Sequence, residues 1–193
     1  MEATIERERA SVAEYLRRER QSLDKHEYRN GEILLMAGAS AIHSLIVVNL
    51  LGELRNRLKG APCRAYDSNL RIRIPRTVSY CYPDVSVLCG PRETDPNDST
   101  GETYTNSKLI IEVLSPSTEI YDRGEKFRQY LQLDSLQEYV LVSQHVRRVE
   151  TYFRQPDGTW LFRNAAEGSV PLPSIGVELP LDEIYAGVEL PPT

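Results

Sequence analysis

The sequence predicts an α/β fold in which a central mixed β-sheet is flanked by helices and carries additional β-hairpins. The segment from Leu109 to Leu114 is apolar except for Glu112 and is followed by turn residues, the pattern of a strand buried on both faces. Apolar residues recur with helical spacing between Ala41 and Lys59, which predicts an amphipathic helix. Asn30-Gly31 is typical of a two-residue hairpin turn.

The other elements follow in chain order. The sequence predicts a surface helix over 8–21, a hairpin over 25–36, strands over 63–75 and 80–89, a polar mobile loop over 91–107, a helix over 120–133 with Ile120, Phe127 and Leu131 on one face, a strand over 138–143, a hairpin over 147–164, and a last strand and short helix over 177–186.

Length and composition indicate one globular domain. The chain has 193 residues, of which 40% are hydrophobic and 26% are charged, an ordinary composition for a domain with a sizeable core. No internal linker or repeat divides the chain. We therefore predict a single domain over residues 1–193, with an N-terminal helical segment over 1–22 and a tail over 187–193.

Apolar runs and cysteines bear on the location of the protein. No apolar run reaches the roughly 20 residues needed to cross a bilayer, and the charged N-terminus lacks the apolar segment of a signal peptide. These features predict a cytoplasmic protein that does not enter a membrane. Three cysteines, Cys63, Cys81 and Cys89, form no C-x-x-C pair, so we expect buried free thiols rather than a disulfide framework or a zinc site.

The formal net charge of −5 argues mildly against an obligate nucleic-acid binder, because such proteins usually have a basic excess. A local basic groove on an acidic protein is compatible with this balance, and metal-binding carboxylates add negative charge of their own. Arg71, Arg73 and Arg76 could line a groove for phosphates, although an exposed strand face is the commoner setting for such residues.

Glu112 is the residue that most needs an explanation. A carboxylate in a buried strand is costly to desolvate unless a metal ion or a cation accompanies it. Asp84 follows Pro83 at another predicted strand, 112 − 84 = 28 residues earlier, a separation that fits neighbouring strands. Two carboxylates brought together suit Mg²⁺, which keeps waters in its other positions. Such an ion can polarise a phosphodiester and lower the pKa of bound water, and a nearby lysine would stabilise the developing charge.

Each of these residues taken alone also has a purely structural explanation. Asp84 could cap a turn, and Glu112 could form an ion pair with Arg71 or Lys126, although a carboxylate in mid-core is more often functional. His43, on an apolar helix, is more often a hydrogen-bonded core histidine than a ligand or base, so we leave it outside the catalytic set. The combination is more persuasive than any single member.

Several motifs together resemble one known family. Pro83-Asp84 and Glu112 resemble the PD-(D/E)XK nuclease pattern, and the chain as a whole resembles the Uma-two family of restriction-endonuclease-like proteins. The shared segments are His26–Glu32, Met36–Ser40, His43, Tyr82–Val85, Ile111–Thr118, Tyr121–Lys126 and Leu136–Val142. The resemblance implies a restriction-endonuclease-like core and a metal site of Asp84, Glu112 and the Val113 carbonyl, with Mg²⁺ or Mn²⁺ as cofactor. It also nominates Glu32 as a further acidic member.

The chain departs from the general nuclease pattern at one position. Leu114 stands two residues after Glu112, where the pattern has lysine. The resemblance implies that the lysine has moved to the following helix, where it is Lys126. Helical geometry allows its side chain to lean toward the strand end that carries Glu112. We therefore expect the Lys126 ammonium within several ångströms of the Glu112 carboxylate.

The main hypothesis is a Mg²⁺-dependent endonuclease that hydrolyses DNA, with Asp84, Glu112, Lys126 and Glu32 as catalytic residues. Arg71, Arg73 and Arg123 are candidate nucleic-acid contacts, and cleavage of two strands favours a homodimer. Another hypothesis is a catalytically inactive nuclease-fold module for binding or assembly, which would show no metal binding that depends on Asp84 and Glu112. A third is a metal-dependent hydrolase that acts on another phosphoester.

Overall fold

The structure is a computed structural model that describes residues 9–36, 38–116 and 118–191. These residues include only part of the predicted N-terminal segment 1–22 and of the predicted tail 187–193. Ala37 and Ser117 of the shared motifs lie outside them. Within the described ranges the helices are α1 (Val12–Glu19), α2 (Ala41–Arg57), α3 (Glu119–Tyr121), α4 (Phe127–Tyr130) and α5 (Leu181–Ile184), with a 3₁₀ turn at Pro75–Thr77 and a π-helical turn at Asp122–Lys126.

The strands of the described chain form sheets of five, six and two strands. In chain order they are β1 (His26–Arg29), β2 (Glu32–Leu35), β3 (Cys63–Asp67), β4 (Arg71–Ile74), β5 (Ser79–Cys81), β6 (Val85–Cys89), β7 (Thr103–Tyr104), β8 (Ser107–Leu114), β9 (Glu138–Ser143), β10 (Val149–Arg154), β11 (Trp160–Ala165), β12 (Ser169–Leu172) and β13 (Val177–Pro180). The sheet orders are β2-β1-β5-β4-β7, β11-β10-β9-β8-β6-β3 and β12-β13.

The six-stranded sheet is mixed and has β8 near its centre. This strand is antiparallel to β6 and parallel to β9, so both of its edges are hydrogen-bonded. Alternate side chains enter different cores, because successive residues of a strand point to opposite faces. Ile111 and Val113 pack with α2, whereas Ile110 and Leu114 pack with residues of the helix after β8. The predicted α/β class with a central mixed sheet and flanking helices is confirmed.

The Asn30-Gly31 turn has the predicted geometry. Asn30 has a φ of 44° and Gly31 a φ of 98°, and positive φ at both central residues is the requirement of a tight turn matched to the twist of a hairpin. The strands β1 and β2 pair from His26 with Leu35 to Arg29 with Glu32. The hairpin then joins β5, because Tyr28 pairs with Tyr80.

Two segments predicted as single strands each divide between two sheets. The segment 63–75 forms β3 in the six-stranded sheet and β4 in the five-stranded sheet. The segment 80–89 likewise divides into β5 and β6 around Tyr82-Pro83-Asp84. Proline removes a backbone donor, which disfavours a continuous central strand at that point. The break places Asp84 where the two sheets meet.

The helix after β8 contains a π-helical turn that changes which side chains are buried. Asp122 and Lys126 lie at its two ends and are both buried. Ile120, which regular spacing placed on the inner face with Phe127, is instead 91% exposed. The prediction for Ile120 is wrong because the wider π turn interrupts the 3.6-residue period on which it relied.

Two other expectations are also wrong. The segment 91–107 is anchored rather than loose, because Asp95 and Asp98 are buried in ion pairs with Arg73 and Arg71. Cys63 and Cys89 are not free thiols but form a disulfide. They lie directly opposite each other on β3 and β6, a register that the sequence alone does not reveal. Cys81 is a buried free thiol, as expected.

Candidate active site

The predicted metal ligands lie at a cavity of about 710 Å³ between the hairpin, the N-terminus of α2 and the end of β8. Asp84, Glu112, Val113 and Lys126 all line it. Glu112 is 2% exposed and Lys126 is 6% exposed. The inner wall of the cavity therefore carries largely buried charges.

Antiparallel pairing of β6 with β8 brings Asp84 next to Glu112. Val85 pairs with Ile111, so Asp84 lies opposite the next residue of β8. Its backbone N–H is 3.4 Å from Glu112 Oε2, and its own carboxylate Oδ2 accepts a hydrogen bond of 2.7 Å from the backbone N–H of Val113. The two carboxylates thus face one corner of the cavity.

Lys126 reaches back from the π-helical turn to this corner. Its Nζ lies 2.9 Å from Glu112 Oε1, 3.2 Å from Glu27 Oε1 and 3.7 Å from Asp122 Oδ1. The distance to Glu112 agrees with the expectation drawn from the sequence. We refer to Lys126, Glu27, Glu112 and Asp122 as the Lys126 cluster.

The pKa values of three members of the cluster, Glu112, Asp122 and Lys126, lie above their usual ranges. Burial raises the pKa of Glu112 well above its usual value, and the nearby charge of Asp84 adds to this against the opposing effect of Lys126. Burial likewise raises the pKa of Asp122. Burial opposes the charge of Lys126, but Glu112, Glu27 and Asp122 outweigh it and hold its pKa well above 10.5. The cluster therefore favours additional positive charge.

Hydrogen bonds fix the carboxylates of the cluster. The Tyr130 hydroxyl donates to Glu112 Oε1 at 3.0 Å. Glu27 accepts from the backbone N–H of Tyr82 at 3.3 Å and from the Tyr121 hydroxyl at 3.4 Å. Because these donors come from several elements, the site is held by the fold rather than by one loop.

Glu32, which the resemblance nominated, is not brought into this cluster. Its carboxylate is 3.6 Å from Arg29 across the hairpin and its side chain is 36% exposed. Along the same hairpin, Glu27 points inward and is 6% exposed. The structure thus supplies an acidic residue from the predicted hairpin, but a different one.

The donor set fits a hard divalent cation with few protein ligands. In the ranges 9–36, 38–116 and 118–191, no group of three or more His, Cys, Asp and Glu side chains is arranged to hold a metal ion. Mg²⁺ is nevertheless commonly bound through one or two carboxylates, with waters and substrate phosphates completing its shell. Asp84 Oδ1 receives no hydrogen bond from these residues, and Glu112 Oε2 receives only the 3.4 Å contact. The described residues therefore leave both oxygens with capacity to bind a cation.

The arginines predicted to contact nucleic acid are occupied by carboxylates. Arg71 is 5% exposed and pairs with Asp98 at 2.7 Å. Arg73 pairs with the buried Asp95. Arg123 binds both oxygens of Glu150, at 2.6 and 3.1 Å. A guanidinium already neutralised and, for Arg71, buried is poorly placed to meet a phosphate.

The cavity wall carries other cations. Lys25 and Arg29 both line it. Lys25 Nζ is 2.9 Å from the Ser68 carbonyl, and Arg29 lies over the Tyr121 ring at 5.5 Å. Arg29 has ion pairs with Glu32 and Glu125, but both are 3.6 Å long. They are looser than the 2.7 and 2.6 Å pairs of Arg71 and Arg123.

A family comparison covers most of the chain. Residues 12–182 match the Uma2 (Uma-two) family, which is described as "Putative restriction endonuclease". The chain belongs to the Uma2 family. The match includes every member of the Lys126 cluster as well as Asp84, and it excludes only the two ends of the chain.

Relatives and a solved structure extend the comparison. "Uncharacterized protein slr1290" of Synechocystis is 42% identical over 179 residues, which cover 92% of each chain. "Uncharacterized protein sll1609" of the same organism is 39% identical over 151 residues, 78% of this chain and 84% of the other. A crystal structure described as "a putative nuclease belonging to DUF820" from Anabaena variabilis superposes with a TM-score of 0.71 over 91% of this chain and 99% of that one, at 19% identity. This last similarity establishes a nuclease-like fold.

Sequence reasoning missed part of the site. Glu27 gave no signal because its burial depends on the pairing of β1 with β5, far along the chain. Asp122, four residues before Lys126, could have been found from helical spacing. His43, judged to be a core histidine, lines the cavity and contacts Asp84.

No helix in the described part of the chain is long and apolar enough to cross a membrane.

Proposed function

We propose that this Uma2 protein is a metal-dependent endonuclease that hydrolyses DNA phosphodiester bonds. The observation that carries the proposal is the meeting of Asp84, Glu112 and the Lys126 ammonium at one corner of a cavity. A buried excess of carboxylates with a single lysine is costly for stability. Such an arrangement is typical of a site that functions with an added cation.

Asp84 and Glu112 would hold Mg²⁺ or Mn²⁺, and the Val113 carbonyl is proposed as a further ligand. The cation, when bound, would polarise the phosphodiester and make water a better nucleophile. Lys126, kept charged by its carboxylate neighbours, would stabilise negative charge developing on the phosphoryl oxygens. Glu27 would orient the ammonium through its 3.2 Å contact. A catalytic role for Glu32 has no comparable contact to support it.

Lys25 and Arg29 are the proposed phosphate contacts, because they line the cavity. Arg71, Arg73 and Arg123 lose support for that role through their ion pairs. A single domain and a homodimer also remain proposals. Exposed Leu23 and Leu35 at the cavity rim are compatible with a partner surface.

A cytoplasmic location remains a prediction as well. The Cys63–Cys89 disulfide argues against it, because such bonds are rare in reducing compartments. Reaction of the native protein with a thiol reagent, before and after reduction, would measure how much of this bond is formed.

A cleavage assay tests the proposed function. Supercoiled plasmid and labelled oligonucleotides would be incubated with Mg²⁺ or Mn²⁺, with and without EDTA. We expect Asp84→Ala and Glu112→Ala to reduce metal-dependent cleavage by at least about 100-fold, since each removes a proposed metal ligand. Glu53→Gln, which changes a carboxylate on α2 paired with Arg57, serves as the matched control and should cleave like the wild type. Unchanged cleavage by Asp84→Ala would contradict the proposal.

A second candidate is an inactive nuclease-fold module for binding or assembly. The observations that favour it are the net charge of −5 and the occupation of Arg71, Arg73 and Arg123 by carboxylates. Calorimetric titration with Mn²⁺ separates the two, because the module requires no metal binding that depends on Asp84 and Glu112. A hydrolase of another phosphoester would bind the metal and leave DNA intact.

A further inference from the structure

His43 lies against the proposed metal ligand Asp84, on an element that contributes no other residue to the acidic cluster. Its Nε2 is 3.0 Å from Asp84 Oδ2, and its side chain is 13% exposed. The imidazole lines the same cavity as Glu112 and Lys126. The contact therefore joins the N-terminus of α2 to the end of β8 through one carboxylate.

The start of α2 holds His43 in this position. Ser40 is the N-cap of the helix, and its Oγ accepts a hydrogen bond of 3.1 Å from the His43 backbone N–H. The same hydroxyl donates to Gln144 Oε1 at 2.8 Å. Gln144 directly follows β9, which pairs with β8. The cap thus ties the helix to the strand end at which Asp84 and Val113 meet.

The hydrogen bonds to Asp84 are unevenly divided between its two oxygens. Oδ2 receives both the Val113 N–H at 2.7 Å and the His43 contact at 3.0 Å, whereas Oδ1 receives none from the described residues. An ionised carboxylate only accepts hydrogen bonds, so Nε2 must carry the proton of the imidazole. Oδ2 is thereby committed to the protein and Oδ1 is left for an external ligand.

The other imidazole nitrogen, Nδ1, makes no hydrogen bond within the described residues that would compete with the contact to Asp84. His43 Nδ1 is buried and has no hydrogen-bond partner among residues 9–36, 38–116 and 118–191. A purely structural core histidine would be expected to use both nitrogens. Here the single hydrogen bond is made to the residue that the proposed chemistry depends on.

We infer that His43 is a positioning residue that donates from Nε2 to Asp84 Oδ2 and fixes this carboxylate so that Oδ1 points to a divalent cation. This inference rests on the proposed metal-dependent function. Partners that hold a ligating side chain in one orientation typically change metal affinity by about 10- to 100-fold when they are removed. His43 itself makes no contact with the reacting atoms in this account.

The test is calorimetric titration of the whole chain with Mn²⁺, comparing wild type, His43→Ala, His43→Asn and His43→Gln. Glutamine carries an amide N–H at nearly the reach of imidazole Nε2, whereas the asparagine amide is one methylene shorter. We expect Ala and Asn to weaken Mn²⁺ binding by about 10-fold and Gln to stay within about 3-fold of wild type. His145→Ala removes an imidazole that does not line the cavity and should bind Mn²⁺ like the wild type.

A second measurement does not require metal or a folded variant. Long-range ¹H–¹⁵N NMR spectra of the metal-free wild type should show a proton on His43 Nε2. An Nδ1–H tautomer, wild-type affinity in His43→Ala, or equal weakening in Gln and Asn would each overturn the inference while leaving the nuclease proposal in place. Mn²⁺ binding that is absent from the wild type, or unaffected by Asp84→Ala, would instead overturn the proposed function and this inference together.

Discussion

The Arg71–Asp98 pair and the Lys126 cluster are both built from buried charges, but they differ in their balance. Arg71 lies 2.7 Å from Asp98, and Thr103 is hydrogen-bonded to both. In the Lys126 cluster one ammonium faces three carboxylates, and Asp84 lies beside them. The first pair is sealed within the protein, whereas the second group lines a cavity.

The two arrangements shift the pKa values of their carboxyl groups in opposite directions. Burial acts to raise the pKa of Asp98, but hydrogen bonds from Thr103, Thr100 and Arg71 outweigh it and hold the pKa well below 3.8. In the Lys126 cluster, burial and an excess of negative charge raise the pKa of Glu112. A balanced pair thus keeps its charges and anchors a loop, whereas an unbalanced group at a cavity has capacity for another cation.

The largest expected effect comes from a substitution that breaks the Arg71–Asp98 pair. Arg71→Met removes the closest cation of the buried Asp98 and leaves it only the partly exposed Arg20, 3.6 Å away, so we expect the free energy of unfolding to fall by about 3–5 kcal/mol. Urea denaturation monitored by circular dichroism measures this loss. Mn²⁺ binding by the folded fraction should persist, because Arg71 does not line the cavity.

The control for this substitution is Arg128→Met. Arg128 is 73% exposed on the side chain and lies 3.8 Å from Glu125, and exposed pairs of this kind contribute about 0–1 kcal/mol. A similar loss of stability in both variants would show that the effect comes from the arginine side chain in general. It would then not report the loss of the close cation beside the buried Asp98.

Glu138 is a buried carboxyl group with no ion pair in the described residues, and it shows whether a raised pKa alone identifies a functional site. Glu138 is fully buried in β9, where Oε2 accepts from the backbone N–H and hydroxyl of Ser174 at 3.2 and 2.6 Å. Its Oε1 has no hydrogen-bond partner in the described residues. Burial raises its pKa from 4.5 to about 7. Glu138 does not line the cavity, so a raised pKa by itself does not mark the site.

The sign of the resulting pH dependence follows from that shift. The folded protein retains the proton of Glu138 at pH values where the unfolded chain has lost it. The stability from this group is therefore full below about pH 4.5 and is lost as the pH rises through about 7. A pKa difference of this size corresponds to about 3 kcal/mol.

Glu138→Gln should remove the loss of stability at rising pH, because glutamine does not titrate. Between pH 4.5 and pH 8.5, we expect the stability of the variant relative to the wild type to increase by about 3 kcal/mol. Urea denaturation across that range measures this difference. The control is Glu178→Gln on the exposed side of β13, which should follow the wild type at every pH. Parallel curves for Glu138→Gln and the wild type would contradict the assigned shift.

The central part of the site could be predicted from the sequence because its signals are local. Glu112 interrupts an apolar strand, and Asp84 follows a proline that breaks another. The family resemblance, rather than spacing, pointed to Lys126, and the 2.9 Å contact with Glu112 agrees with it.

The rest depends on contacts between distant segments. Glu27 is buried only when β1 pairs with β5, and the Cys63–Cys89 bond requires the register of β3 with β6. The π-helical turn that exposes Ile120 has no signature in a 3.6-residue pattern. Nonlocal strand pairing and the π-helical turn therefore account for the differences between the predicted and the observed structure.

The smallest expected effect concerns the cost of the unbalanced group. Glu112→Gln keeps the shape of the side chain and removes one of the excess carboxylates, while Glu27 and Asp122 still neutralise Lys126. We expect the free energy of unfolding to rise by about 1 kcal/mol, as is common when a functional but destabilising group is replaced. Mn²⁺ binding, measured by calorimetry on the same samples, should be lost.

The matched control is Glu150→Gln, which removes one of the two carboxylates paired with Arg123: Glu150 at 2.6 and 3.1 Å and Glu119 at 2.7 Å. Because a partly exposed ion pair contributes up to about 1 kcal/mol, this variant should lose stability by about that amount. The two substitutions are chemically identical, so opposite signs would locate the difference in the surroundings. A loss of stability in both variants would mean that Glu112 is an ordinary structural partner of Lys126, and the argument from charge imbalance to a cation site would fail.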